Sequence, residues 1–190
     1  MKEHPINQLN NFIMGWYAED SSFAEEFDNY YNSSEEKFNG TFSIDVKESE
    51  DVPIVFGDGS PRYWDHLREC IKLYCNKYNF CSQHRLGISE KSNLQKYKPN
   101  GGFKVWHFEK GNTLEQISRN LVFMTYLNNV PDGGTEFLYQ DCKVKAEKGL
   151  TLIWPAEWTH VHKSEISKLN DKFIITGWIS TKVEYENRSM

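Results

Sequence analysis

The strongest constraint on this chain is a change of period near Leu94. From there on, β-branched and aromatic residues dominate and apolar and polar positions alternate with period two, the mark of half-buried strands. The alternation predicts strands over 94–97, 103–108, 120–127, 135–139, 142–145, 150–153 and 172–179. Pro99-Asn100-Gly101-Gly102, Pro131-Asp132-Gly133-Gly134 and Glu147-Lys148-Gly149 read as the turns between them. About seven short strands at this spacing point to a β-sandwich or jelly roll.

The first half reads differently. Ser22-x-x-Glu25 is a capping-box pattern, and Phe23, Phe27, Tyr30 and Tyr31 behind it form one apolar helix face. Ser60-Pro61 is an N-cap and N1 pair opening a helix over 62–79. Tyr63, Leu67, Cys70, Ile71, Tyr74, Cys75 and Tyr78 form its stripe, and His66 and Arg68 fall outside it as solvated residues. Residues 32–62, rich in Ser, Glu, Gly and Asp, read as loops with short strand pieces at 41–46 and 54–56. The expectation is one domain, mainly β with supporting N-terminal helices: residues 1–93 as helical and loop support, 94–182 as the core.

With 190 residues and a net charge of -5, the chain can bury a sizeable core and has no basic block to serve nucleic acid. No apolar run approaches the ~20 residues of a membrane span, and the N-terminal stretch lacks a secretory apolar region, so the expectation is a cytoplasmic protein with no membrane partner. Cys70, Cys75, Cys81 and Cys142 make no C-x-x-C pair and read as free thiols; a zinc site from Cys75, Cys81 and His84 fits no common spacing. His4, His66 and His84 read as surface residues.

The chemistry centres on Trp106-His107-Phe108-Glu109. His107 and Glu109 are two apart in a strand-like run, so both point to one face and can meet at a transition metal. A His-x-acid pair arises about once by chance in a chain with six histidines and 27 acidic residues, so the pair needs support. It comes from Tyr97 ten residues earlier, Tyr126-Leu127-Asn128, Gly133-Gly134, Pro155, the histidines His160 and His162, Lys172 ten residues after His162, and Trp178. Two imidazoles and a carboxylate on one face of a metal form the facial triad of non-haem Fe(II) oxygenases, and a lysine on the next strand can pair with the far carboxylate of a dicarboxylic acid.

In that order and spacing the chain resembles the 2-oxoglutarate/Fe(II)-dependent dioxygenase superfamily, in particular its prolyl 4-hydroxylase-like group, over about residues 94–180. The resemblance implies a cupin-like double-stranded β-helix (jelly roll). It implies Fe(II) held by His107, Glu109 and His162, with His162 favoured over His160 by its spacing to Lys172. Lys172, Tyr126, Tyr97 and Thr176 would bind 2-oxoglutarate. Trp178, His160, Trp106 and Arg119 would contact substrate or support the ligands, Arg119 alternatively serving as a structural ion-pair residue. The cosubstrates implied are 2-oxoglutarate and O₂, with ascorbate as an auxiliary, and the substrate a prolyl peptide or protein. A small metabolite or free amino acid is the alternative substrate; a non-catalytic jelly-roll binding module and a zinc hydrolase are the rival classes, the latter leaving Lys172 unexplained. One departure stands out: the acid is Glu109, where most relatives carry Asp, which moves the carboxylate by about one C–C bond.

Overall fold

The computed structural model describes residues 1–182. The alternating half folds into two facing antiparallel sheets. The larger is nine-stranded and runs Lys2–Glu3, Met14–Tyr17, Leu150–Pro155, Arg119–Tyr126, Lys172–Thr181, Ser92–Tyr97, Glu50–Ile54, Phe38–Asn39, with Leu86–Gly87 joining Lys172–Thr181. The smaller runs Cys142–Ala146, Val130–Phe137, His162–Ser164. Two helices, Phe23–Ser33 and Pro61–Lys77, cover the outer face of the larger sheet. The fold is thus mainly β with N-terminal helices, a double-stranded β-helix. Among the described residues, no helix is long and apolar enough to cross a membrane.

Side-chain parity assigns the layers. On Lys172–Thr181, Phe173, Ile175 and Ile179 join Leu121 and Phe123 in a core against Phe27, Tyr63, Leu67 and Tyr74 of the helices. The alternate residues face the smaller sheet, where Ile174, Val122, Met124, Leu152 and Trp154 pack with Val130, Phe137 and Val144. Both faces of the central strands are therefore buried, and Lys172, Thr176 and Trp178 share the parity of Ile174 and point between the sheets.

Several expectations need correction. The first half supplies more than support: Met14–Tyr17 pairs with Leu150–Pro155, and Glu50–Ile54 pairs with Ser92–Tyr97 in the main sheet. Val52 and Ile54 are fully buried there, so the Ser/Glu-rich composition around them hid a core strand, and 41–46 holds no strand. Ser22 makes no side-chain cap; the capping box is at Thr113 and Gln116, opening the short helix Leu114–Ser118. Pro131-Asp132-Gly133-Gly134 is not a turn between strands. It lies within Val130–Phe137 as a register shift against Cys142–Ala146. Glycine is required there because a Cβ at Gly134 would sit 2.2 Å from the Val144 carbonyl oxygen. The four cysteines are free thiols.

His66 also departs from its expected solvation. It turns inward, its Nε2 3.0 Å from Thr151 Oγ1, which lies 2.7 Å from Thr125 Oγ1, itself 3.2 Å from the Tyr63 hydroxyl. A helix-to-sheet hydrogen-bond chain explains a histidine beside the apolar stripe. His4 is likewise half-buried, its Nδ1 accepting the Ile6 N–H at 3.1 Å; His84 is exposed as expected. Burial lowers the pKa of His66 from 6.5 to about 4. The unfolded chain therefore takes up a proton below pH 6.5 that the folded chain refuses, so this contribution is complete above 6.5 and is lost as pH falls toward 4. Between pH 7 and pH 5 the native chain should lose about 2 kcal/mol more stability than His66→Gln, measured by denaturant melts. Equal losses would remove His66 from the acid response.

Candidate metal centre

His162 opens the edge strand of the smaller sheet, beside Phe137. His107 meets it as a single bridge pair: each backbone N–H donates to the other's carbonyl, at 3.0 and 2.9 Å. The strand expected over 103–108 is thus short. Gly102–Phe103 pairs with Lys47–Glu48, and only His107 beyond it bridges to the sheet. Glu109 is fixed separately by its N–H to the Ala156 carbonyl at 3.1 Å. The three side chains still converge. His107 Nε2 lies 3.5 Å and His162 Nε2 3.4 Å from the same oxygen, Glu109 Oε1.

The donor atoms of His107, Glu109 and His162 all lie within 4.8 Å of one another. Two metal–ligand bonds of about 2.1 Å at a right angle place their donors about 3 Å apart, so the observed spacing suits three cis ligands after a small contraction. Each Nδ1 faces a nearby carbonyl, His107 that of Val105 at 3.0 Å and His162 that of His160 at 2.9 Å. With Nδ1 carrying the proton, each Nε2 presents its lone pair toward Glu109, the arrangement a metal-binding imidazole needs. Burial would raise the Glu109 carboxyl, but hydrogen bonds and charge from His107 and His162 outweigh it and hold the group well below the usual carboxylate range.

Behind Glu109, Trp178 Nε1 donates to Oε2 at 2.9 Å and Arg119 Nη1 donates to the Glu109 backbone carbonyl at 2.9 Å. Arg119 also forks onto Glu90 and lies 3.5 Å from the centre of the Trp178 ring. Arg119 thus forms an ion pair with Glu90 at the back of the cluster. Glu90 was missed because Ser89-Glu90-Lys91 carries no pattern in sequence.

A cavity of about 230 Å³ opens beside the cluster. His107, Glu109, His162, Tyr97, Thr176 and Trp178 line it, joined by Gln95, Asn93, Met124 and Thr135. Gln95 and Asn93 share the face of Tyr97 by parity, a signal the sequence contained. Tyr97 donates to Gln95 Oε1 at 2.7 Å, and Gln95 donates to Asp51 Oδ2 at 2.9 Å. Thr176 Oγ1 is held by the Phe123 carbonyl at 3.2 Å. Tyr126 and Lys172 sit behind the lining. The Tyr126 hydroxyl lies 2.7 Å from Thr135 Oγ1, and the Lys172 ammonium lies 5.2 Å from the Tyr97 ring centre. Lys172 donates to the Glu165 carbonyl at 3.2 Å and has no ion pair with a carboxylate among the described residues. Burial lowers its pKa from 10.5 to about 8, against the raising influence of Glu165 and Asp132.

The remaining residues singled out in sequence lie outside the cavity. His160 is buried and turned away, its Nε2 3.0 Å from the Asn11 carbonyl oxygen and its Nδ1 3.0 Å from Thr159 Oγ1. Trp106 is 40% exposed, with the Lys163 ammonium 4.5 Å from its ring centre; the ring stacked on His107, at 3.5 Å, is instead Phe103.

Comparison with known proteins finds solved structures of similar fold. Similar solved structures include a prolyl hydroxylase from Trichoplax adhaerens in complex with a hypoxia inducible factor peptide fragment, at 16% identity and TM-score 0.70, covering 93% of this chain and 87% of that one. A Pseudomonas putida prolyl-4-hydroxylase is similar at 12% identity and TM-score 0.69, covering 94% and 97%. The viral collagen prolyl hydroxylase of Paramecium Bursaria Chlorella virus-1, in complex with 2OG, is similar at 17% identity and TM-score 0.67, covering 90% and 97%. At such identities these likenesses concern the fold. No curated protein matches the sequence. Residues 92–180, which carry every donor of the cluster, match the family model of the 2OG-Fe(II) oxygenase superfamily, a family whose chemistry uses Fe(II) and 2-oxoglutarate.

Proposed function

We propose that this chain is a 2-oxoglutarate- and Fe(II)-dependent hydroxylase of prolyl residues in a peptide or protein. The observation that carries the reading is the convergence of His107 Nε2 and His162 Nε2 on one oxygen of Glu109, at the wall of a cavity backed by a buried lysine. His107, Glu109 and His162 would hold the metal. Lys172 would pair with the far carboxylate of 2-oxoglutarate, which supplies the anionic partner its burial calls for. Tyr97, Tyr126 and Thr176 would line or support the cosubstrate's seat. The prolyl substrate is supported by three similar folds that belong to prolyl hydroxylases, one of them in complex with a peptide fragment.

Fe(II) bound there supplies the centre at which 2-oxoglutarate and O₂ react, giving succinate, CO₂ and a hydroxylated product. The chain's own contribution is placement and exclusion. The two Nδ1 to carbonyl hydrogen bonds aim both imidazoles with Nε2 toward the metal position. The Trp178 and Arg119 contacts hold Glu109 in one orientation. Met124, Trp154 and Ile174 supply an apolar part of the cavity wall, which limits the water that can compete at the reacting atoms.

Incubation with Fe(II), ascorbate, 2-oxoglutarate and proline-containing peptides tests the proposal. Succinate should form in step with the gain of one oxygen atom on a prolyl residue, read by fragment mass spectrometry. Succinate formed with small metabolites and never with peptides would sink the prolyl assignment. Absence of succinate under every condition, uncoupled turnover included, would sink the catalytic reading.

A further inference from the structure

We propose that Arg119, Glu90 and Trp178 form a clamp that lets a glutamate serve where the metal cluster would otherwise take the shorter aspartate, with Arg119 and Trp178 as positioning residues for Glu109. The inference rests on the metal reading of His107, Glu109 and His162. A glutamate carries one more rotatable bond than an aspartate, so its carboxylate needs an outside restraint to keep one oxygen toward the histidines. The structure separates the two oxygens. Oε1 faces both imidazoles, whereas Oε2 receives the Trp178 Nε1–H at 2.9 Å and has Arg119 Nη1 at 3.7 Å.

The restraint is built at one end of three neighbouring strands. Arg119 begins Arg119–Tyr126 and stands opposite Ser180, Trp178 lies on Lys172–Thr181, and Glu90 sits just ahead of Ser92–Tyr97. The Arg119 side chain is 11% exposed and that of Glu90 7% exposed, so their pair is fixed inside the protein. Arg119 Nε bonds the Glu90 oxygens at 2.9 and 3.1 Å, its Nη2 also meets Oε2, and its guanidinium lies 3.5 Å from the Trp178 ring centre. Nη1 is then left to reach the Glu109 carbonyl at 2.9 Å. Glu90 has a second effect. It neutralises the guanidinium, so Arg119 can orient Glu109 without repelling a dication held on the other side of that carboxylate.

The test is anaerobic Fe(II) titration of the whole chain, with melting transitions recorded for every variant. Trp178→Phe keeps the ring and removes only the donor; it should fold and lose on the order of 10-fold in Fe(II) affinity. Arg119→Lys keeps the charge and loses the fork, and should weaken binding to a similar degree. Because both act through one residue, Glu109, the double variant should lose little more than the worse single one. In the Glu109→Asp background the shorter acid no longer reaches the indole, and adding Trp178→Phe should change affinity by less than about twofold. Unchanged Fe(II) affinity in Trp178→Phe, strictly additive losses in the double variant, or an undiminished Trp178→Phe effect beside Asp would each overturn the clamp while leaving the metal reading intact. A native chain that binds no Fe(II) would overturn the metal reading itself, and the clamp with it.

Discussion

His162→Ala is expected to lower Fe(II) affinity by about 10³-fold and to abolish 2-oxoglutarate turnover, while His160→Ala leaves metal affinity within about threefold. The two histidines are two residues apart, and an extended segment would send both to the same side. The chain is not extended there. Trp158–His160 is a turn of 3-10 helix, which rotates His160 toward the N-terminal segment while His162 enters the sheet. His162 Nε2 then lies 3.4 Å from Glu109 Oε1, whereas His160 Nε2 is spent on the Asn11 carbonyl. The His160 variant should instead lose stability, by about 1–3 kcal/mol, because the buried His160 ring is removed and the half-buried Asn11 carbonyl loses its partner. Fe(II) titration and a denaturant melt on both variants separate the two roles. A large metal defect in His160→Ala with none in His162→Ala would reverse the assignment.

Lys172→Met is expected to raise the KM for 2-oxoglutarate by about 10²–10³-fold, the loss usual for a buried charged partner. The same substitution should raise thermal stability. Without a dicarboxylate, the ammonium is desolvated between the sheets and its pKa falls from 10.5 to about 8. Below pH 8 folded and unfolded chains are both charged and the folded one carries the full penalty, about 3 kcal/mol. As pH rises from 8 toward 10.5 the folded chain loses its proton first, so the native protein should gain stability relative to Lys172→Met over that window. Affinity for 2-oxoglutarate should behave in the opposite sense. It should be flat below pH 8 and fall about tenfold per pH unit above it, because binding must then restore the proton. A stable Lys172→Met chain that binds 2-oxoglutarate like the native one would remove Lys172 from the cosubstrate site.

Much of this architecture is legible in the sequence because period-two alternation reports directly on which residues share a face. Lys172-Phe-Ile-Ile-Thr-Gly-Trp178 needs only that rule to bring Lys172, Thr176 and Trp178 to one side, and the neighbouring strands Ser92–Tyr97 and Arg119–Tyr126 cover the alternating runs 94–97 and 120–127 to within about two residues. Parity failed where the chain leaves regular structure. Gly133 and Gly134 look like a turn, because nothing local distinguishes a bulge from a reversal until Val144 is known to lie against Gly134. Glu50–Ile54 is hard to see in sequence because an acidic, proline-containing segment can still bury Val52 and Ile54 on one side while Asp51, also buried, is held by Lys47 and Gln95. The Arg119–Glu90 pair joins residues 29 positions apart, a long-range contact with no periodicity to announce it. His66 shows the same limit, since its partner Thr151 belongs to a strand that the helix meets only after folding.

The most direct measurement is sequential anaerobic calorimetry on the intact chain, first with Fe(II) and then with 2-oxoglutarate. One Fe(II) per chain should bind, 2-oxoglutarate should bind with one-to-one stoichiometry and much more tightly once the metal is present, and Glu109→Ala should abolish both events. Tight binding of 2-oxoglutarate that ignores the metal, or Fe(II) binding that survives the loss of Glu109, would contradict a metal and cosubstrate site built on His107, Glu109, His162 and Lys172.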